Sequence, residues 1–184
     1  MELLAELSWI DLAIILALAI GVFVGFTQGA IRYLLNCVAV LVAFVVAAQL
    51  KGPFVGLLGF WTAFSPAGRE LLVFVLLFLA LVIGGWFAIR AFYRRTRLPV
   101  PIQLDELAGA VLGLAWVALL ITFHLVVYDT YYQRGAEPAG WVGGYYELLN
   151  GSLLVEFLRQ AVLPTAGILV RPFVPSSVAQ LLVP

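Results

Sequence analysis

The stretch Leu71-Leu-Val-Phe-Val-Leu-Leu-Phe-Leu-Ala-Leu-Val-Ile83 contains no polar side chain and lies inside a longer apolar run from about Arg69 to Tyr93. Crossing the ~30 Å hydrocarbon core of a bilayer takes ~20 helical residues, so this run is predicted to be a transmembrane helix. In lipid the backbone must satisfy its own hydrogen bonds, which leaves only helices and closed barrels. Barrel strands alternate apolar and polar residues over ~10 positions, and no such alternation is visible here.

Outward from this helix, three more runs of the same kind appear. Helix one is expected from Trp9 to Phe26, helix two from Ala30 to Leu50, and helix four from Asp105 to Tyr128. Thr27-Gln28-Gly29 reads as a tight connection. Lys51-Gly52-Pro53 is expected to end helix two, because proline lacks the backbone donor and disfavours helix just before itself. Residues 52–68 read as a loop along the membrane surface, and Arg94 to Pro101 as a basic, proline-bearing loop. Gly84-Gly85 marks a place where helix three bends or admits a neighbour.

Composition agrees with this reading. Of 184 residues, 64% are hydrophobic and 11% charged, with a mean hydropathy of +1.10, against about 25% charged in a soluble domain. Ten basic and ten acidic residues cancel, so no nucleic-acid partner is expected. A single cysteine, Cys37, excludes intramolecular disulfides and cysteine metal sites. Glu2, Glu6 and Asp11 replace the basic start of a signal peptide, so the first helix is expected to remain as an anchor.

Within Asp129–Pro184, Glu156, Arg159, Pro164, Arg171 and Pro172 interrupt the apolar residues. A charge at mid-membrane costs ~2.5–3.5 kcal/mol on insertion scales, so no fifth crossing is expected. Residues 147–163 read as an amphipathic helix: Leu153, Leu154, Phe157, Leu158, Ala161 and Val162 form one stripe, and Ser152, Glu156, Arg159 and Gln160 the other. Such a helix lies in the interface or on a partner. The expected fold is therefore an all-α integral membrane protein, with four transmembrane helices and a C-terminal interfacial amphipathic helix. Its units would be a membrane domain over 1–128 and an extracytoplasmic tail over 129–184.

Orientation follows the arginines. Arg32 sits by the first connection, and Arg90, Arg94, Arg95 and Arg97 cluster at one end of helix three. The positive-inside rule puts both connections in the cytoplasm, with both termini outside. These arginines are also expected to touch lipid headgroups, a docking site for a cytoplasmic partner being the competing role.

Gly21, Gly25 and Gly29 on helix one, with Gly109 and Gly113 on helix four, recur every four residues on one face, a spacing that lets helix backbones approach. Packing within the chain and an interface with another protein or a second copy both fit. Asp11 reads as a solvated interfacial residue, and Asp105-Glu106 as the cap of helix four. His124 stands alone, with no nearby cysteine and no carboxylate four residues away, so no metal site is expected. Neither a proton relay nor a GxSxG, HExxH or P-loop motif is present. No catalytic residue and no cofactor are expected.

These motifs together resemble the colicin V production protein (CvpA) family. Ser8-Trp9-Ile-Asp11 is similar to the family's opening Trp-x-Asp, Gly29-Ala-Ile-Arg32 to its Gly-x-x-Arg step, and Asp105-Glu-Leu-Ala-Gly109-Ala-Val-Leu-Gly113 to its start of helix four. The resemblance covers residues 8 to about 125. Gln28 stands where the family usually carries Arg, and Trp116-Val117 where it usually carries Arg-Gly. What the resemblance implies is a four-helix protein of the bacterial inner membrane, tied to bacteriocin export and envelope homeostasis. Some relatives add an extracytoplasmic serine protease, but the tail here holds no His-Asp-Ser set. A non-enzymatic scaffold in contact with lipid and with other membrane proteins or itself is therefore expected. An accessory subunit of a large membrane complex is the alternative. An oligomeric channel ranks last, since only Asn36, Gln49, Thr122 and His124 offer a polar lining.

Overall fold

The computed structural model describes residues 8–60, 65–93, 101–132 and 140–182, and all regular structure among them is helical. Four long helices, α1 (Trp9–Gln28), α2 (Ala30–Leu57), α3 (Pro66–Phe92) and α4 (Ile102–Tyr132), are each long and apolar enough to cross a bilayer. A short helix, α5 (Gly140–Asn150), leads to α6 (Leu153–Phe173), less apolar than the four long helices, and a last turn, α7 (Ser176–Ala179), follows. The chain is thus a multi-pass helical membrane protein.

Helix α4 is the centre. It packs along the whole of α1 and also against α2, while α3 packs mainly on α2. Phe44 of α2 stacks on Phe123 of α4 with ring centres 4.2 Å apart, and Phe78 of α3 meets both rings edge-on. A second cluster joins Ile10 and Ile14 of α1 to Leu125 of α4, Leu149 of α5, and Val155 and Leu158 of α6. Lipid-side positions such as Leu16, Phe23, Val38, Leu76 and Val111 stay exposed, as a chain solvated by lipid requires.

Several helix boundaries differ from expectation: α3 already starts at Pro66, inside the expected loop, and α4 runs from Ile102 to Tyr132. The first connection is Gly29 alone, at φ +85°, a left-handed conformation glycine adopts without strain. Helix α2 does not end at Lys51 but runs through Pro53 to Leu57. Proline removes one hydrogen bond but its fixed φ still fits a helix. The added turns are held from α3: Lys51 Nζ lies 2.8 Å from Glu70 and 5.2 Å above the Phe74 ring. Residues 52–57 therefore belong to a helix, not to the expected surface loop.

The tail helix also starts elsewhere. In place of one helix over 147–163, α5 stops at Asn150, and Ser152 caps a new helix by accepting from Val155 N. In α6 the turn Leu158–Val162 is a π-helix, in which Leu163 N donates to Leu158 O. Pro164 follows and has no N–H for the α pattern. The inserted residue re-phases the helix, so that Val155 and Leu158 before it and Ala166 and Val170 after it are all buried.

By length and composition α6 is also a candidate span, with 21 residues. Its contacts place it differently. Its first turn binds Asp11, about 18 residues from Gly29 along α1, and Phe173 O accepts from Gln49, about 19 residues from Ala30 along α2. At 1.5 Å per residue both anchors stand roughly 27–28 Å from the first connection. Helix α6 therefore lies across one end of the bundle, level at both ends, and exposes Leu153, Phe157, Ile168 and Phe173.

Candidate functional site

Every helix start leaves backbone N–H groups without a partner in the helix, and every helix end leaves C=O groups. The dipole makes the first end attract anions and the second cations. In this bundle four charged side chains close ends of helices to which they do not belong.

Asp11 serves two helices. Its Oδ2 accepts from Ser8 N at 2.9 Å and Ser8 Oγ at 2.7 Å, completing a capping box on α1. Its Oδ1 accepts from Ser152 Oγ at 2.6 Å and Leu154 N at 2.9 Å, at the start of α6. The residue is fully buried, not solvated at a helix end as expected, because α6 lies over it. Asp105 likewise reaches outward. Helix α4 begins at Ile102, which sets Asp105 a turn inside it, facing the first connection. There Oδ1 accepts from Ala30 N at 3.1 Å. Asp105 thus caps α2, which Gly29 has no side chain to cap, rather than its own helix.

The arginines take the opposite ends. Arg32 donates to Tyr93 O at 2.7 Å, beyond the last turn of α3, and Arg69 donates to Leu58 O and Gly59 O, both at 3.0 Å, beyond the end of α2. Arg90 lies 5.2 Å above the Trp86 ring on its own helix. Arg94, Arg95 and Arg97 lie outside the described residues. Trp9 is exposed beside the start of α1.

The five glycines meet in one contact between antiparallel α1 and α4. A Cβ on Gly25 would overlap Gly109 O and stand 2.9 Å from Gly113 Cα; one on Gly113 would overlap Gly21 O and stand 3.0 Å from Gly25 Cα. A Cβ on Gly29 would come within 2.6 Å of Asp105 Oδ2. These backbones touch, and any side chain would separate them. Gly85 faces Ala39 of α2, whereas Gly84 faces open space.

A further cluster escaped sequence reading. Arg159, in the π turn, donates to Asp129 Oδ1 at 2.6 Å and to Asn150 Oδ1 at 2.7 Å, and Tyr146 OH donates to the same Asp129 oxygen at 2.8 Å. Burial, followed by the hydrogen bond to the Asp129 carboxylate, pushes the Tyr146 hydroxyl above its ordinary range. No local motif announces this lock, since its members come from α4, α5 and α6. Among the described residues no three His, Cys, Asp or Glu side chains gather as metal ligands.

What the arrangement does chemically is hold helices. Its key members, Asp11, Gly29, Asp105, Gly109 and Gly113, fall within one recognised pattern: the family described as Colicin V production protein matches residues 10–162. The chain belongs to the colicin V production protein (CvpA) family. The match runs well past the motifs near residue 125 that carry the resemblance in the sequence. It takes in Ser152 and Leu154, the partners of Asp11 on α6, and stops at the end of the π turn. Gln28 accepts from Arg32 at 3.4 Å, and Trp116 packs edge-on against Tyr33. No curated protein and no solved structure matches the chain.

Proposed function

We propose that this CvpA-family protein is a non-enzymatic scaffold of the bacterial inner membrane, working in envelope homeostasis or bacteriocin export by holding other membrane proteins against its helices. One observation carries the reading. Both motif acids, Asp11 and Asp105, bind backbone amides at the starts of neighbouring helices, so the residues that look most chemical serve architecture. What is left to meet a partner is surface, including the exposed row Phe157, Ile168, Leu169 and Phe173 on α6. The arginine distribution supports placing the connection between α1 and α2 in the cytoplasm, with both termini and α6 at the outer face.

The test is purification from the native membrane in a gentle detergent, with mass spectrometry of whatever stays bound. Recovery with substoichiometric envelope proteins supports the scaffold. Stoichiometric recovery inside one large assembly overturns it in favour of a fixed accessory subunit. That second reading rests on Gln28 and Trp116, which stand where the family resemblance leads one to expect two cations. A channel finds little support, because Asn36 and Thr122 are buried and Gln49 is bound to Phe173.

A further inference from the structure

We infer that the groove between α1 and α3 binds one acyl chain of a membrane phospholipid, with the lipid's phosphate or ester oxygens held at His124 and Tyr145. This goes beyond the scaffold reading and does not depend on it. The groove exists because α1 packs on α4 and α3 mainly on α2, which leaves a gap floored by α4. Its volume is about 360 Å³. That is room enough for an acyl chain to lie along it. Ala13 and Ala17 form one wall, Phe78 and Leu79 the other, and Leu120 the floor. No lining residue is an acid, a lysine or an arginine.

Polarity along the groove matches the depth of an amphiphile. His124 lies about 19 residues along α4 from Asp105, roughly 28 Å, which puts it level with Asp11 at the bundle end, where headgroups begin. Ala17 lies about 9 Å deeper than Asp11 on the same scale. At the polar end, Tyr145 of α5 roofs the groove beside His124, with ring centres 6.4 Å apart. Among the described residues neither the imidazole nor the Tyr145 hydroxyl has a hydrogen-bond partner. An N–H of His124 and the Tyr145 O–H are donors, and the lipid oxygens found at that depth are acceptors. The neutral walls suit the chain below.

The probe is a phosphatidylethanolamine carrying a mid-chain diazirine, incorporated with the full-length protein in nanodiscs and photolysed. Labelling at Ala13, Ala17, Leu79 and Leu120 is expected to exceed that at the exposed positions Phe23 and Val111 about tenfold, as ~1.4 kcal/mol of preference gives. Ala17→Phe, which fills the groove, should abolish the excess at an unchanged melting temperature. His124→Leu should lower it about fivefold, the worth of roughly one hydrogen bond. Even labelling over groove and control positions overturns the proposal, as does an excess that survives Ala17→Phe. If Ala17→Phe fails to fold, an excess untouched by His124→Leu together with Tyr145→Phe overturns it.

Discussion

Asp11 and Ser152 are separated by 141 positions in the chain and joined by a 2.6 Å hydrogen bond. The same carboxylate oxygen takes the amide of Leu154, so one buried acid caps the start of the helix that begins the bundle and the start of the helix that lies across it. Burying an ionised group is costly unless it is fully hydrogen-bonded. Here two serine hydroxyls and two backbone amides meet that need.

Asp11→Ala should therefore free the start of α6. A hydrogen bond to a charged group contributes ~1.5–3 kcal/mol, so a local loss of about 3 kcal/mol is expected, with Asp11→Asn intermediate because its amide N–H₂ would face donors. Hydrogen exchange over residues 153–162 in detergent should quicken roughly a hundredfold. Unchanged exchange there would show that Asp11 does not hold α6.

At the glycine contact, Gly25→Leu and Gly113→Leu should each force α1 and α4 apart and lower the melting temperature sharply, since the added Cβ already overlaps backbone. Overpacking a tight contact typically costs ~1–3 kcal/mol or more. Gly84→Leu is the control: its Cβ meets nothing within 4 Å, and thermal stability should hold. Equal melting temperatures for all three variants would refute the contact.

Lys51 and Glu70 invite a double-mutant cycle. Lys51 is buried, with its side chain 8% exposed against 30% for Glu70. Glu70→Gln strips the lysine of its counter-charge and should cost about 3 kcal/mol, the low end for breaking a buried pair. Lys51→Met combined with Glu70→Leu should recover most of that loss. A double variant no more stable than Glu70→Gln alone would mean that the pair is not coupled.

Reporter fusions after Arg97 and after Pro184 test the orientation. The first should report from the cytoplasm and the second from the outer side. An outward signal at Arg97 inverts the whole arrangement.

The four long helices were legible because lipid imposes them: an apolar run of sufficient length admits one solution. The glycine face was legible as a face, though not as the particular pairing of α1 with α4, because a four-residue repeat fixes which side is smooth and says nothing of what presses on it. The capping roles were not legible in the same way. Ser8-Trp-Ile-Asp11 has the spacing of a capping box, yet the half of Asp11 that binds α6 depends on a segment far along the chain. Pro53 misled in the usual direction, since a proline near a helix end removes a bond without stopping the helix if Lys51 and Arg69 secure the turns around it. The π turn at 158–162 carries no sequence flag except Pro164 just beyond it.

The pairing of α1 with α4 sets an order on biosynthesis. Gly29 leaves the ribosome about 80 residues ahead of Gly109, which at ~5–20 residues per second is a wait of roughly 4–16 s. Throughout that interval the first helix stands in the membrane with a smooth, unoccupied side and its natural neighbour not yet made. Any other helix with small residues on one face competes for that side, a second nascent copy included. Slowing translation between residues 30 and 102 should therefore favour exchanged dimers over the closed monomer, while speeding it should have the reverse effect.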